Sequence, residues 1–120
     1  GESIDQFQMI QKMLSDSAIE INSARLALLQ TAWEADHDRD VSARISMVKV
    51  QASETLCRVA DRAVQIYGGL GYCRDLPIER YYRDARIYRI FDGTSEIHRT
   101  VIASAISKGD RNLYNLNVAT

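Results

Sequence analysis

The sequence has few of the residues that break helices: one proline and six glycines in 120 positions. That scarcity excludes collagen-like and low-complexity classes. Two cysteines, Cys57 and Cys73, stand apart without CxxC spacing or accompanying histidines. No disulfide framework and no metal site is therefore expected, and both read as free thiols of a reducing compartment rather than of a secreted protein. Neither charge is in excess, since fifteen basic and sixteen acidic residues leave a net charge of −1. That is too little to hold nucleic acid by counterion displacement. No apolar run approaches the roughly 20 residues that span a bilayer, so no membrane insertion is expected. Strand-like alternation, internal repeats and low-complexity tracts are all lacking. The chain opens Gly1-Glu2-Ser3 without an initiator methionine. We read residues 1–120 as one domain with a core of its own, belonging to a longer protein.

What is present is 46% apolar residues set at helical spacing. Phe7, Ile10, Leu14, Ser17, Ile21, Ala24, Leu28, Thr31 and Ala35 recur at steps of three and four, which predicts a first helix from Ile4 to about Ala35 with one buried seam. "DHDRD" (36–40) interrupts it, with Asp40 as the expected N-cap of the next helix. Val41, Ile45, Val48, Ala52, Leu56, Val59, Ala63 and Ile66 mark that second long helix, which stops at Gly68-Gly69. A loop "GGLGYCRDLP" should follow, then a third, shorter helix from Pro77 to about Arg89. A fourth, capped by Thr94, should end at Lys108-Gly109, with the last eleven residues frayed. The expectation is an all-α, antiparallel up-and-down bundle of two long and two shorter helices, the short pair covering the seam of the long pair. The long helices carry more apolar surface than two short helices can cover, which calls for a further helix or a partner chain.

Twelve of the fifteen basic residues are arginines. Arginine favours fixed bidentate contacts with carboxylate or phosphate, and internal ion pairs are the plainer use of most of them. Arg83, Asp84 and Arg86 are expected to form a network that fixes the angle before "IFDGTSEIHR" (90–99). In that stretch Asp92 follows the apolar pair Ile90-Phe91 and precedes Gly93. A carboxylate in apolar surroundings has its charged form disfavoured and becomes a better base. Gly93 would let a substrate approach the backbone, and Thr94 at a helix start would offer a hydroxyl and unpaired amides to an electron-rich group. Aspartate before glycine is equally an ordinary turn. "QIYGGLGY" (65–72) is likewise open: bare backbone for a cofactor's phosphates, or a helix end and tight loop. It follows no strand, so it is not a dinucleotide-fold fingerprint. His37 and His98 read as surface groups. Trp33, Tyr81, Tyr82 and Tyr88 read as packing residues with their polar ends near the surface.

Taken together, residues 65–103 strongly resemble the C-terminal signature of the acyl-CoA dehydrogenase family. Gln65-x-x-Gly68-Gly69-x-Gly71-Tyr72 leads into Pro77-x-x-Arg80, then Arg83-Asp84-Ala85-Arg86, then Phe91-Asp92-Gly93-Thr94-Ser95-Glu96-Ile97. The opening, residues 1–25, is similar to the family's stretch after its Arg-x-x-Phe-Gly motif, with Gly1 as the glycine. The resemblance implies the C-terminal helical bundle of a three-domain FAD enzyme. The implied reaction is oxidation of an acyl-CoA to a trans-2-enoyl-CoA, by loss of the pro-R α-proton to a base and of a β-hydride to flavin N5. It implies a homodimer or homotetramer and electron-transferring flavoprotein as the usual acceptor. The setting would be the cytoplasm in a bacterium or the mitochondrion in a eukaryote. By similarity Asp92 is the base, and Phe91 and Gly93 lie against the acyl thioester. Phe7, Gln8, Gln65, Ile66, Tyr67, Gly68 and Gly69 contact FAD, those from 65 to 69 across a dimer. Thr94, Ser95 and Glu96 contact FAD from their own subunit.

Three departures accompany the resemblance. The family's usual base is glutamate, and aspartate moves the carboxylate by roughly an ångström, a shift that can cost a large factor in rate. A site reshaped for aspartate, nitroalkane oxidase-like chemistry with an aspartate base, and a base on another helix are three ways to meet it. A bundle that serves only oligomerisation, with Asp92 as a turn residue, is the non-enzymatic counterpart. Ser104 stands where arginine is usual. The upstream flavin motif and β domain are absent, so this chain alone should bind FAD poorly and not turn over.

Overall fold

The computed structural model describes residues 1–113. A 3-10 turn at Ile4–Gln6 precedes α1 (Gln8–Asp36), and α2 (Ser42–Tyr67), the four-residue α3 (Gly69–Tyr72), α4 (Ile78–Ile87) and α5 (Ser95–Ser107) follow, with a second 3-10 turn at Arg111–Leu113. No strand occurs among the described residues, and no helix among them is long and apolar enough to cross a membrane. The expected all-α arrangement of two long and two shorter helices is the one observed.

Residues 37–41 join α1 to α2, and the polar partners across that pair run in opposite order along the chain. Glu34 meets Arg44 near the connection, at 2.9 Å. Glu20, farther along, meets Arg58 at 2.8 Å and Arg62 at 2.7 Å. The two helices are therefore antiparallel. Asp40 lies one residue outside its expected place, because Val41 occupies the cap position. Its carboxylate still accepts from the Ser42 amide and hydroxyl, which lowers its pKa, the hydroxyl contributing most.

The short helices do not cover a seam between α1 and α2, as the periodicity suggested. α4 and α5 pack on α2, as α1 does, and α1 has no substantial contact with either. α2 is thus the axle of the fold. The side chains buried on it are small or hydroxylic: Ala43, Ser46, Ser53, Thr55 and Ala60. Such residues let neighbouring helices come close, but they provide little apolar burial. Leu113 is the one large aliphatic residue buried among the described residues. Much of the expected seam is open, with Phe7 64% and Leu28 54% exposed. Among the described residues, much of the apolar stripe of α1 is therefore left uncovered.

Three other elements differ from the sequence reading. The stretch after Gly68 is not all loop: Gly68, at φ 57°, turns the chain so that its carbonyl accepts from the Gly71 and Tyr72 amides and starts α3. The third helix ends at Ile87, two residues short of the expected Arg89. Residues 110–113 are not frayed, because Leu113 is buried and Arg44 Nε donates to the Asn112 carbonyl at 2.9 Å. The remainder of the expected frayed tail lies outside the described residues.

The α1–α2 ion pairs generate two predictions. Glu34 is 3% exposed, so Glu34→Ala removes a buried carboxylate that faces Arg44 and accepts from Gln30, and should cost about 3 kcal/mol in urea unfolding. Glu20 has its pKa lowered by its hydrogen bond from Arg62 foremost, with burial opposing and Arg58 adding to the depression. A carboxylate with a depressed folded pKa stabilises above its unfolded value and loses that contribution as pH falls through the folded one. Thermal stability should therefore decline below the ordinary glutamate value of about 4.5, and Glu20→Gln should show a shallower decline over that window.

Candidate active site

Residues 88–94 form the hinge between α4 and α5. The α4 end turns over as Ile90 and Phe91 both donate to the Ile87 carbonyl. Asp92 then takes φ 52° and Gly93 φ 88°. A left-handed conformation at a non-glycine residue costs about 1–2 kcal/mol, so something must hold it. Two side chains do. His98 Nε2 donates to the Asp92 carbonyl at 3.0 Å, and Lys49 Nζ on α2 donates to the Gly93 carbonyl. A neutral hydrogen bond contributes about 1 kcal/mol and one from a charged donor about 1.5–3 kcal/mol. Together they outweigh the strain.

Glu54 on α2 ties the two flanks of this hinge, pairing with Arg89 before it at 3.1 Å and with Arg99 after it at 3.5 Å. The expected Arg83–Asp84–Arg86 network is not what fixes the angle. Arg83 pairs with Glu79 inside α4, and neither Asp84 nor Arg86 takes part in an ion pair among the described residues. Glu54 does that work because α2 is the helix on which both α4 and α5 rest.

His98 also departs from its expected surface role. It is half-buried, and its Nδ1 lies 3.0 Å from the buried Ser46 hydroxyl. A side chain at position 93 would meet His98 Nε2 at 2.8 Å, and φ there is +88°. Glycine is thus required at 93 by both the backbone angle and the imidazole. His37, by contrast, is exposed as expected. It lies against Trp33, over which Arg39 stacks at 4.9 Å. Tyr81, Tyr82 and Tyr88 are each about half exposed.

The Asp92 carboxylate makes no hydrogen bond or ion pair among the described residues. Its backbone is fixed while its side chain is unengaged. The expected dry wall is missing among the described residues, since Ile90 is 50% and Phe91 41% exposed. Phe91 packs edge-on to Tyr88 at 5.0 Å. Any water exclusion at Asp92 must come from groups beyond residues 1–113.

The start of α5 is more self-contained than the sequence suggested. Thr94 Oγ1 accepts from the Ile97 amide at 3.2 Å, Ser95 N donates to the Arg89 carbonyl at 3.1 Å, and Glu96 has its pKa lowered by its own amide first and the Thr94 hydroxyl second. The amides expected to be unpaired are therefore occupied. Ser95 has 0% exposure; its side chain is packed beneath the helix start and presents no surface to a ligand.

The other candidate cofactor residues present a different face. Gln65, Tyr67, Gly68 and Gly69 are exposed and Ile66 is half-buried. Nothing lies within 4 Å of where a side chain would project at Gly68 or Gly69. An open backbone beside a free carboxamide suits the approach of a large polar group such as FAD. Phe7 and Gln8 are exposed at the start of α1. Lys49, under the hinge, and Gln65 are sixteen positions apart on α2, about 24 Å at about 1.5 Å per residue. The two sets of candidate residues therefore do not converge on one spot within a chain. Ser46, Lys49 and Glu54 were not among the sequence candidates; the available signal was a lysine and an acid within the small and apolar run of α2.

The fold defines an all-helical bundle domain with an aspartate on a braced hinge and a bare glycine pair at a helix end. The model of the acyl-CoA dehydrogenase C-terminal domain matches residues 1–107. The chain belongs to the acyl-CoA dehydrogenase family. It is 44% identical over 108 residues to the Bacillus subtilis protein named "Probable acyl-CoA dehydrogenase YngJ", covering 90% of this chain and 28% of that protein. It is 41% identical over 111 residues to the mitochondrial short-chain specific acyl-CoA dehydrogenase of Rattus norvegicus, covering 92% of this chain and 27% of the relative. Among solved structures, the FAD complex of PigA superposes with a TM-score of 0.85 at 30% identity, over 89% of this chain and 28% of that one. The chain thus spans little more than a quarter of the proteins it matches.

The cap geometry generates one prediction. Thr94→Ala removes the side-chain acceptor at the start of α5 and should lower stability by about 1 kcal/mol in denaturant unfolding, and Thr94→Ser should restore most of it.

Proposed function

We propose that residues 1–120 are the C-terminal bundle domain of an FAD-dependent acyl-CoA dehydrogenase, in which Asp92 is the base. The observation that carries this reading is a carboxylate whose backbone is braced by Lys49 and His98 while its oxygens have no partner among the described residues. A base needs that combination: fixed position, free lone pairs. Asp92 takes the α-proton of the acyl thioester, with Gly93 leaving room beside the backbone and Phe91 flanking the chain of the acyl group. Bound FAD supplies the acceptor for the hydride that leaves the β-carbon as the double bond forms. The open end of α2 at Gln65–Gly69, with Phe7 and Gln8, holds the cofactor, and Thr94 and Glu96 border it from the hinge side. Those two sets lie about 24 Å apart along α2, so residues 65–69 would serve the flavin of a neighbouring copy. The uncovered apolar face of α1 supports a homodimer or homotetramer, which, with the other domains, makes the site dry. Electron-transferring flavoprotein is the acceptor expected of such an enzyme.

A short-chain acyl-CoA is the first substrate to test, given the rat relative. In a flavin-loaded protein containing this chain, Asp92→Asn should slow anaerobic flavin bleaching by butyryl-CoA about 10²–10⁴-fold. Bleaching at the native rate would remove Asp92 from its role. Because the base is aspartate, a nitroalkane panel run beside the acyl-CoAs separates the dehydrogenase from an oxidase of nitroalkanes.

A further inference from the structure

We propose that His98 is a positioning residue for Asp92, holding the base in its reactive place through the peptide carbonyl rather than through the carboxylate. This rests on the reading of Asp92 as the base. A carbonyl oxygen only accepts, so the 3.0 Å contact between His98 Nε2 and the Asp92 carbonyl requires the proton on Nε2. In the neutral ring, Nδ1 is then an acceptor, and the Ser46 hydroxyl, 3.0 Å away, donates to it. Ser46 is 5% exposed on α2, so the imidazole is anchored on the fold's central helix. A relay runs from α2 through the ring to the peptide that carries Asp92.

Alternative restraints on that peptide are few. Asp92 adopts φ 52°, a conformation its side chain does not itself secure, since its carboxylate has no partner among the described residues. Lys49 holds the next carbonyl, that of Gly93, and leaves the Asp92 peptide plane free to rotate. His98 is the group that removes that freedom. Gly93 completes the fit, because any side chain there would occupy the ring's place, 2.8 Å from Nε2. Loss of the ring lets the carboxylate drift by an ångström or so, which changes the rate of proton removal far more than the binding of substrate.

The test is stopped-flow flavin reduction by butyryl-CoA in a flavin-loaded protein containing this chain, comparing His98→Ala, His98→Gln and Asp92→Asn. His98→Ala should slow reduction at saturating butyryl-CoA by about 10- to 100-fold and leave the half-saturating concentration unchanged. His98→Gln, whose carboxamide N–H reaches the same carbonyl, should recover most of the rate. If His98→Ala loses its flavin, Ser46→Ala loosens the same ring from the other side and should give a smaller loss of the same kind. Native-rate reduction in His98→Ala or in that substitute, or a loss that His98→Gln fails to repair, overturns the proposal while an inert Asp92→Asn leaves the base in place. Native-rate reduction in Asp92→Asn overturns both.

Discussion

Two peptide carbonyls, those of Asp92 and Gly93, are tied by side chains to the rest of the bundle, and the whole arrangement of the site follows from that tie. Left-handed backbone at an aspartate is unfavourable by about 1–2 kcal/mol, and a hinge of this kind between two helices would otherwise relax. Lys49 and His98 hold it, and Glu54 pins the arginines on either flank. Each of these ties reaches back, directly or through Ser46, to α2. The acid is thereby presented on a rigid element even though it lies on a connection between helices.

The same central helix explains why so much apolar surface faces outward among the described residues. α2 is packed by small and hydroxylic residues, which bring α1, α4 and α5 close without building a large apolar interior. The aliphatic residues of α1 and the aromatic residues around the hinge are left facing outward. The apolar neighbours of Asp92, the proposed base, are themselves about half exposed. The chain covers 28% of the length of the Bacillus subtilis relative.

Much of this was legible in the sequence. Helices of 29 and 26 residues were visible in the three-four spacing, Thr94 in its capping position, and the end of α2 in its glycine pair. The hinge was visible as an acid beside glycine, and the ordered motifs around it carried the family. What periodicity could not give was which face of each helix is covered. A three-four pattern marks an apolar stripe but not the element that meets it, and α1 keeps much of its stripe uncovered. Nor could spacing reveal His98 or Lys49. Their contacts are with backbone carbonyls, which leave no trace in residue type, and a histidine on a helix looks the same whether or not it faces a peptide. Ser95 shows what a motif leaves out: its pattern sets it beside a cofactor, while its side chain is wholly buried in this fold.

The central claim is that the carboxylate at position 92 meets the carbon from which a proton is removed. It is tested most directly by the crystal structure of a flavin-loaded protein containing this chain, bound to an unreactive thioether analogue of a short acyl-CoA. The account predicts an Asp92 carboxylate oxygen about 3–3.5 Å from the atom in the α position, within an enclosed pocket and with the Asp92 carbonyl still on His98. A complex in which that carboxylate faces bulk solvent, with the α position lying beside some other acid, would contradict it.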